Sequence, residues 1–442
     1  MKRRSFLKSA GTAVTLPLAL NGLRFTLLAQ TPQTERLLRA SIGSDKALVI
    51  IQLEGGNDGL NTVIPVEDSN YYTFRPTIGI AKDAGLPLEG NPLLRLHPAM
   101  SGMQRMFNDG EMAILGNVGY ERNSFSHFEG TENWNTASIA DFSQRLQTGW
   151  VGRFLVEEFP GYPQVLPQDP PAVQISAAVS SIFSSSNGSM AISLTDPAEF
   201  YALVNGGPAS DDEKGPDTKS GREFNYVALI GSQALDYSES IRRAAEKATN
   251  KATYPAESAL AASLAIIARL IAGGLQTRVY LVKLGGFDTH ANQLARQAAL
   301  LQELSEAIAA FMQDAQQLGI ADRVVGMTYS EFGRRVRENG GGTDHGTASA
   351  HFVFGKLVAG GAIHGGPPNL GDLAGGTNLK HAINFPCYYA SVIGPLFNIP
   401  PSSLGTIFPL GLCDTLLPLY NQQPTGVQDL PAQETPGEMD LQ

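Results

Sequence analysis

An α/β fold, with a parallel sheet covered by helices, is predicted by three observations. Ala47 to Leu53 is a continuous apolar run of strand length, and Thr277 to Leu284 is a second such run. A long helical stripe follows Thr277 to Leu284 directly, and Arg323 to Tyr329 is a strand placed immediately after that stripe. Strand, helix and strand therefore alternate, an order that implies a parallel sheet covered by helices.

Each element has its own warrant. The run ALVIIQL ends in Glu54-Gly55-Gly56, so a buried strand passes into a tight loop. Met112 to Val118 is another strand, and GWVGRFLVEEF between Gly149 and Pro160 is helical. Prolines 163, 167, 170 and 171 then mark a loop-rich stretch. Residues 206–222 are polar and bear glycine and proline, which predicts an exposed insertion, and Ala/Leu-rich helices run from Phe224 through Ile271. In the clearest helix Leu294, Ala298, Leu301, Leu304, Ile308, Phe311, Ala315 and Leu318 recur at three- and four-residue steps until Gly319 stops them. That stripe is core. The Pro/Gln/Glu-rich tail from Asn421 is expected to be disordered.

The chain has 442 residues, 43% hydrophobic and 17% charged, enough to bury a full core in one or two domains. A net charge of −10 disfavours nucleic acid or an anionic membrane as the main partner, so any anion site is local. Cys387 and Cys413 are the only cysteines; they allow at most one disulfide and exclude a four-cysteine zinc site. At the amino end, Lys2-Arg3-Arg4-Ser5-Phe6-Leu7-Lys8 precedes a mildly apolar stretch from Ala13 to Leu20, as in a twin-arginine export signal over residues 1–30. The stretch is too short and too interrupted for a stable membrane span. The expected destination is the bacterial periplasm or the exterior, with the twin-arginine translocase as partner during export and the mature chain beginning near Thr31.

The reactive residues follow the strands. After the first comes Gly55-Gly56-Asn57-Asp58-Gly59; Asn123-Ser124-Phe125-Ser126-His127 follows Met112 to Val118; Gly285-Gly286-Phe287-Asp288-Thr289-His290 follows Thr277 to Leu284. Beyond Arg323 to Tyr329 lie Ser330-Glu331-Phe332-Gly333-Arg334 and Gly342-Thr343-Asp344-His345-Gly346, with His351 further on. In parallel sheets the carboxyl edge is where ligands bind. Carboxylates and imidazoles converging there suit a divalent ion, with zinc or manganese favoured over magnesium or calcium. Taken singly, Asp58-Gly59 reads equally as a turn and Asp-Thr-His as a helix cap.

The motifs GGNDGLNT, LHPAM, SHF, GWVGRFL, GFDTHANQ, SEFGRR and GTDHG, in order from Leu53 to about Gly366, resemble the twin-arginine-exported domain of unknown function numbered fifteen hundred and one. Gly-Thr-Asp-His-Gly also resembles the metal-binding Asp-His signature of the alkaline phosphatase and sulfatase superfamily. The resemblance implies an alkaline-phosphatase-like domain over residues 31–420: a mostly parallel sheet between helix layers, with loop insertions and a site for one or two divalent ions. It implies Asp58, Asp344 and His345 around one ion, and Asp288, His290 and His351 around a second. The spacing departs from the superfamily, because only Thr289 separates Asp288 from His290, and no formylglycine motif of sulfatases is present.

The expected function is therefore an exported metal-dependent hydrolase of phosphate or sulfate esters on a small molecule or polymer, with a metal-activated hydroxyl or water as nucleophile. Ser126 is the candidate nucleophile and His127 its partner or leaving-group acid; Ser126 with Glu129 equally reads as a capping box, and His127 as a structural histidine. Glu331 would ligate an ion or pair with Arg334 or Arg335, and the arginines at 334, 335 and 337 would grip an anion or form a solvated face. The alternative is a non-catalytic exported metal-binding protein that binds a polysaccharide or a partner protein.

Overall fold

The computed structural model describes residues 45–121, 123–139, 145–206 and 234–421, together with the strands Leu16–Leu20 and Leu23–Leu27, which pair antiparallel with each other. Arg3 and Arg4 of the expected export signal, the expected polar insertion at 206–222 beyond its first residue, and the tail past Asn421 lie outside the described residues. Asn421 itself is held, because its side-chain amide donates to Val358 O at 3.0 Å.

The centre of the molecule is a nine-stranded sheet. In chain order its strands are β1 (Ala47–Glu54), β2 (Met112–Gly119), β3 (Ala172–Ile175), β4 (Ala191–Leu194), β5 (Val279–Gly285), β6 (Val324–Tyr329), β7 (Ser349–Phe354), β8 (Ile363–His364) and β9 (Ile383–Asn384). The spatial order is β4-β3-β5-β1-β6-β7-β2-β8, with β9 also on β2. Only β7 is reversed: it pairs antiparallel with β6 and with β2, and every other pairing is parallel. The predicted mostly parallel sheet is thus present.

Strand β1 shows why the sheet needs cover on both faces. Val49, Ile51 and Leu53 enter one apolar core and Leu48 and Ile50 the other, all at 0% exposure. Each such side chain contributes about 1.5–3 kcal/mol relative to exposure, so a helix layer on only one face would forfeit half of that gain. The first core is closed by helices α1 (Ser101–Asn108), α4 (Ala259–Ala272) and α5 (Gln293–Gln317). The second is closed by α2 (His127–Thr136), α3 (Trp150–Glu158) and α6 (Phe385–Leu396), whose Trp134, Trp150, Tyr388 and Tyr389 fill it.

Three sequence expectations change. The loop-rich stretch after Pro163 contains two short parallel strands, β3 and β4, which are too brief for periodicity to reveal. His351, expected in a ligand loop, lies within β7, where its register partner is Leu115. The stripe of α5 also begins differently: Leu294 is 42% exposed, while Gln293 and Gln297 are buried in its place because they donate to Asp58. From Leu301 to Ala315 the stripe is core as expected. Cys387 and Cys413 form a disulfide that ties α6 to the carboxyl-terminal segment.

Candidate metal centre

The carboxyl ends of β1, β2, β5 and β6 share one edge of the sheet because these strands run the same way, and the loop entering the reversed β7 reaches that edge from its amino end. Topology therefore assembles the site from three loops, since the one between β6 and β7 supplies residues from both of its ends. Asp288 and His290 follow β5, Glu331 and Arg334 follow β6, Asp344 and His345 precede β7, and His127 opens α2 after β2.

The side chains of His127, Asp288 and His345 each offer one ligand atom, and these atoms all lie within 4.8 Å of one another. Asp288 Oδ1 is 3.2 Å from His345 Nε2 and 3.1 Å from His290 Nε2, and Asp288 Oδ2 is 3.6 Å from His127 Nε2. The two imidazole nitrogens His290 Nε2 and His345 Nε2 are 3.0 Å apart. Ligand bonds of about 2.0–2.1 Å in a tetrahedral zinc site put neighbouring ligand atoms about 3.3 Å apart, so the triangle of Asp288 Oδ1, His290 Nε2 and His345 Nε2 matches one face of such a polyhedron, with His127 approaching the other carboxylate oxygen.

The opposite ring nitrogens settle which atoms face inward. His345 Nδ1 donates to the Phe125 carbonyl at 2.7 Å, since a carbonyl can only accept. His127 Nδ1 lies 2.9 Å from Glu331 Oε1, and His290 Nδ1 lies 3.4 Å from Asp344 Oδ1. With each Nδ1 proton committed to an oxygen, a neutral ring presents a bare Nε2 lone pair to the other rings and to Asp288. Lone pairs at 3.0 Å repel unless a cation or a proton lies among them. A divalent ion accepted by nitrogen and oxygen together fits this donor set.

Local strain and charge hold the arrangement. Phe125 has φ +59°, a left-handed conformation unusual for a bulky residue, and it is this conformation that presents its carbonyl to His345. Asn123 Oδ1 braces the turn by accepting the Phe125 amide at 2.9 Å. Arg334 is buried; it donates to Asp288 Oδ1 at 2.6 Å and to the carbonyls of Gly55, Gly56, Phe287 and Thr343. Burial would raise the Asp288 carboxyl, but the hydrogen bond and charge of Arg334, with His345 and His290, outweigh it and hold Asp288 down to about 2. The Glu331 hydrogen bond raises His127 above the ordinary imidazole value against the opposing effect of burial. Asp344 is lowered chiefly by the Asn339 side-chain amide, which donates to it at 3.2 Å.

The structure brings together His127, Asp288, His290, Asp344 and His345, and it does not bring in two expected ligands. Asp58 is 1% exposed and sits in a bidentate ion pair with Arg75, whose Nη1 and Nη2 donate at 2.5 and 3.0 Å. Gln293 donates to the same carboxylate and the Leu60 amide caps on it, so its oxygens are spoken for by protein donors. His351 is fully buried between Tyr388, stacked at 5.9 Å, and the edge of Trp134 at 5.3 Å. Its place in a reversed strand keeps it inside the sheet, because the loop before β7 reaches the site edge and the strand itself does not.

Other assignments sharpen. Ser126 is the N-cap of α2, with its hydroxyl accepting the Glu129 amide at 3.5 Å, and it is exposed. His127 points to Glu331 and Asp288, so it is neither a core histidine nor oriented on Ser126. Arg334 is a buried tether on Asp288, Arg337 lies over the Phe74 ring at 4.0 Å, and Arg335 stands at the exposed rim, 3.7 Å from Asp344 and 41% exposed. Arg75 and the Phe125 carbonyl went unread in the sequence: an isolated arginine 17 residues past Asp58 has no motif, and a left-handed phenylalanine has no local signature.

No curated protein matches the chain. Among solved structures, the lipoteichoic acid synthase LtaP from Listeria monocytogenes is similar over 74% of this chain and 67% of its own, at 9% identity and a TM-score of 0.29. The PsFucS1 sulfatase from Pseudoalteromonas sp. is similar over 76% and 69%, at 9% identity and TM-score 0.33. The TAB5 alkaline phosphatase, as a His-to-Glu mutant with magnesium bound, is similar over 73% and 94%, at 11% identity and TM-score 0.31. The family model described as "Protein of unknown function (DUF1501)" matches residues 225–380, the stretch that carries Asp288, His290, Glu331, Asp344 and His345.

Proposed function

We propose that the chain is a metal-dependent hydrolase of phosphate or sulfate esters, with zinc or manganese held by His127, Asp288, His290 and His345. The observation that carries this reading is the 3.0 Å approach of two imidazole Nε2 atoms whose Nδ1 sides face oxygens, beside a carboxylate held ionised. When bound, such an ion polarises an ester oxygen and lowers the pKa of a hydroxyl or water. The histidines are neutral ligands and the one carboxylate among them is already paired to Arg334, so the charge of the ion is left largely uncompensated. An anionic ester is the complementary substrate, and the exposed Arg335 adds attraction for it at the rim.

Ser126, exposed and directly before His127, is the protein's candidate nucleophile; water is the alternative. Its cap role is compatible, since the hydroxyl oxygen accepts the amide at 3.5 Å and keeps its own proton to give up. The Arg3-Arg4 pair supports delivery to the periplasm or exterior, and no helix among the described residues is long and apolar enough to cross a membrane. The test is metal content of the purified chain, together with turnover of an aryl phosphate, an aryl phosphodiester and an aryl sulfate. Bound metal with turnover of one of these supports the reading, and metal without turnover favours an exported metal-binding protein that recognises a polysaccharide or partner. Absence of stoichiometric metal after zinc or manganese reconstitution refutes both.

A further inference from the structure

Glu331 is 3% exposed, and among the described residues no lysine or arginine forms an ion pair with it. A carboxylate so placed loses hydration, and nearby donors have to replace it. Its Oε1 accepts the Gly55 amide at 2.7 Å and lies 2.9 Å from His127 Nδ1. The chain is shaped around this contact at two glycines. A Cβ at Gly130, one turn along α2 from His127, would meet the Glu331 carbonyl at 2.9 Å and its Cβ at 3.3 Å, so only glycine lets the helix settle on this residue. A Cβ at Gly55 would meet the Asp288 amide at 2.3 Å, and Gly55 has φ +116°, so the amide that faces Glu331 also requires glycine.

We propose that Glu331 is the positioning residue of the metal centre: its buried carboxylate accepts the Nδ1 proton of His127, locks the tautomer with a bare Nε2, and aims that nitrogen at Asp288 and His345. Neither an ion ligand nor a salt-bridge partner of Arg334 or Arg335, it acts through His127 alone. A carboxylate behind an imidazole raises the basicity of the ligating nitrogen and fixes the ring plane, and such partners govern metal affinity. The inference rests on the reading of this cluster as a metal site, and the experiment separates the two.

Full-length protein is stripped with a chelator and titrated with Zn2+ against a chromophoric competitor, and its Co2+ form is recorded by absorption. Wild type that fails to bind Zn2+ stoichiometrically overturns the metal reading itself. With wild-type binding established, Glu331→Gln is expected to weaken Zn2+ by about 10–100-fold and to shift the Co2+ spectrum. Unchanged affinity and spectrum overturn the positioning role while leaving the metal site standing. In a His127→Ala background Glu331→Gln is expected to change Zn2+ affinity no further; an equal loss in both backgrounds indicates a general structural role and refutes the proposal. Should the Glu331 variants not fold, long-range proton–nitrogen NMR of the Zn2+-loaded wild type decides it. A His127 ring protonated at Nδ1 and coordinated through Nε2 is expected, and the opposite tautomer overturns the assignment.

Discussion

Replacing Asp58 by asparagine separates its role from the one the sequence suggested. Asp58 and Arg75 are both 1% exposed, and Arg75 also donates to Asn61 and to the carbonyls of Arg335 and Val336. Breaking one partner of a buried pair leaves the other charge uncompensated, which costs about 3–5 kcal/mol. An unfolding entropy of about 2.1 cal/mol/K per residue gives roughly 0.9 kcal/mol/K over 442 residues, so Tm should fall by about 3–6 °C. Calorimetry and metal analysis on the same samples form the assay: Asp58→Asn should lose Tm and keep its zinc stoichiometry. The pair of changes Asp58→Leu and Arg75→Met should recover most of the loss, because both charges leave together. Asp58→Asn with an unchanged Tm and lost zinc would refute the reasoning and restore the carboxylate as a ligand.

Further outcomes are expected. Asp288→Asn or His345→Ala should abolish tight zinc retention in a chelator competition while circular dichroism stays that of the folded chain. Because His127 is raised above 6.5 and Asp288 stays ionised to about 2, bound zinc should be released as pH falls below neutral, through protonation of imidazoles and not of the carboxylate; retention at pH 5 by equilibrium dialysis argues against imidazole ligands. Burial pushes His351 down to about 3 from 6.5, so the unfolded chain takes up its proton first. Its contribution is therefore full above about pH 6.5 and is lost toward about pH 3, at roughly 1.4 kcal/mol per pH unit. His351→Phe should flatten that acid limb in denaturant melts and leave zinc binding unchanged. Phe125→Gly should relieve left-handed strain of about 1 kcal/mol without loss of zinc, since the carbonyl that holds His345 remains, whereas weakened zinc would assign the side chain a role. Reducing the disulfide between Cys387 and Cys413, separated by 26 residues, should cost about 3.5 kcal/mol in a chain-entropy account, read as a lower Tm with reductant.

The sequence by itself determined the strands at Ala47, Met112, Val279 and Val324, the long helix between the last two, and the parallel order they impose. These are legible because apolar periodicity records burial, and burial on both faces leaves few other arrangements. It also placed Asp288, His290, Asp344, His345 and His127 at loop positions, since glycine-rich turns after strands mark the reactive edge. Only the tertiary structure decided which of those loops meet. The one reversed strand put His351 inside the sheet and left the loop before it at the site, and strand direction is invisible in a run such as SAHFVF. Asp58 was turned from metal ligand to ion-pair partner by Arg75, and Glu331 was joined to His127 across 204 residues. Ion pairs and second-sphere hydrogen bonds depend on distances of a few ångströms between segments far apart in the chain, and local pattern carries no record of those distances.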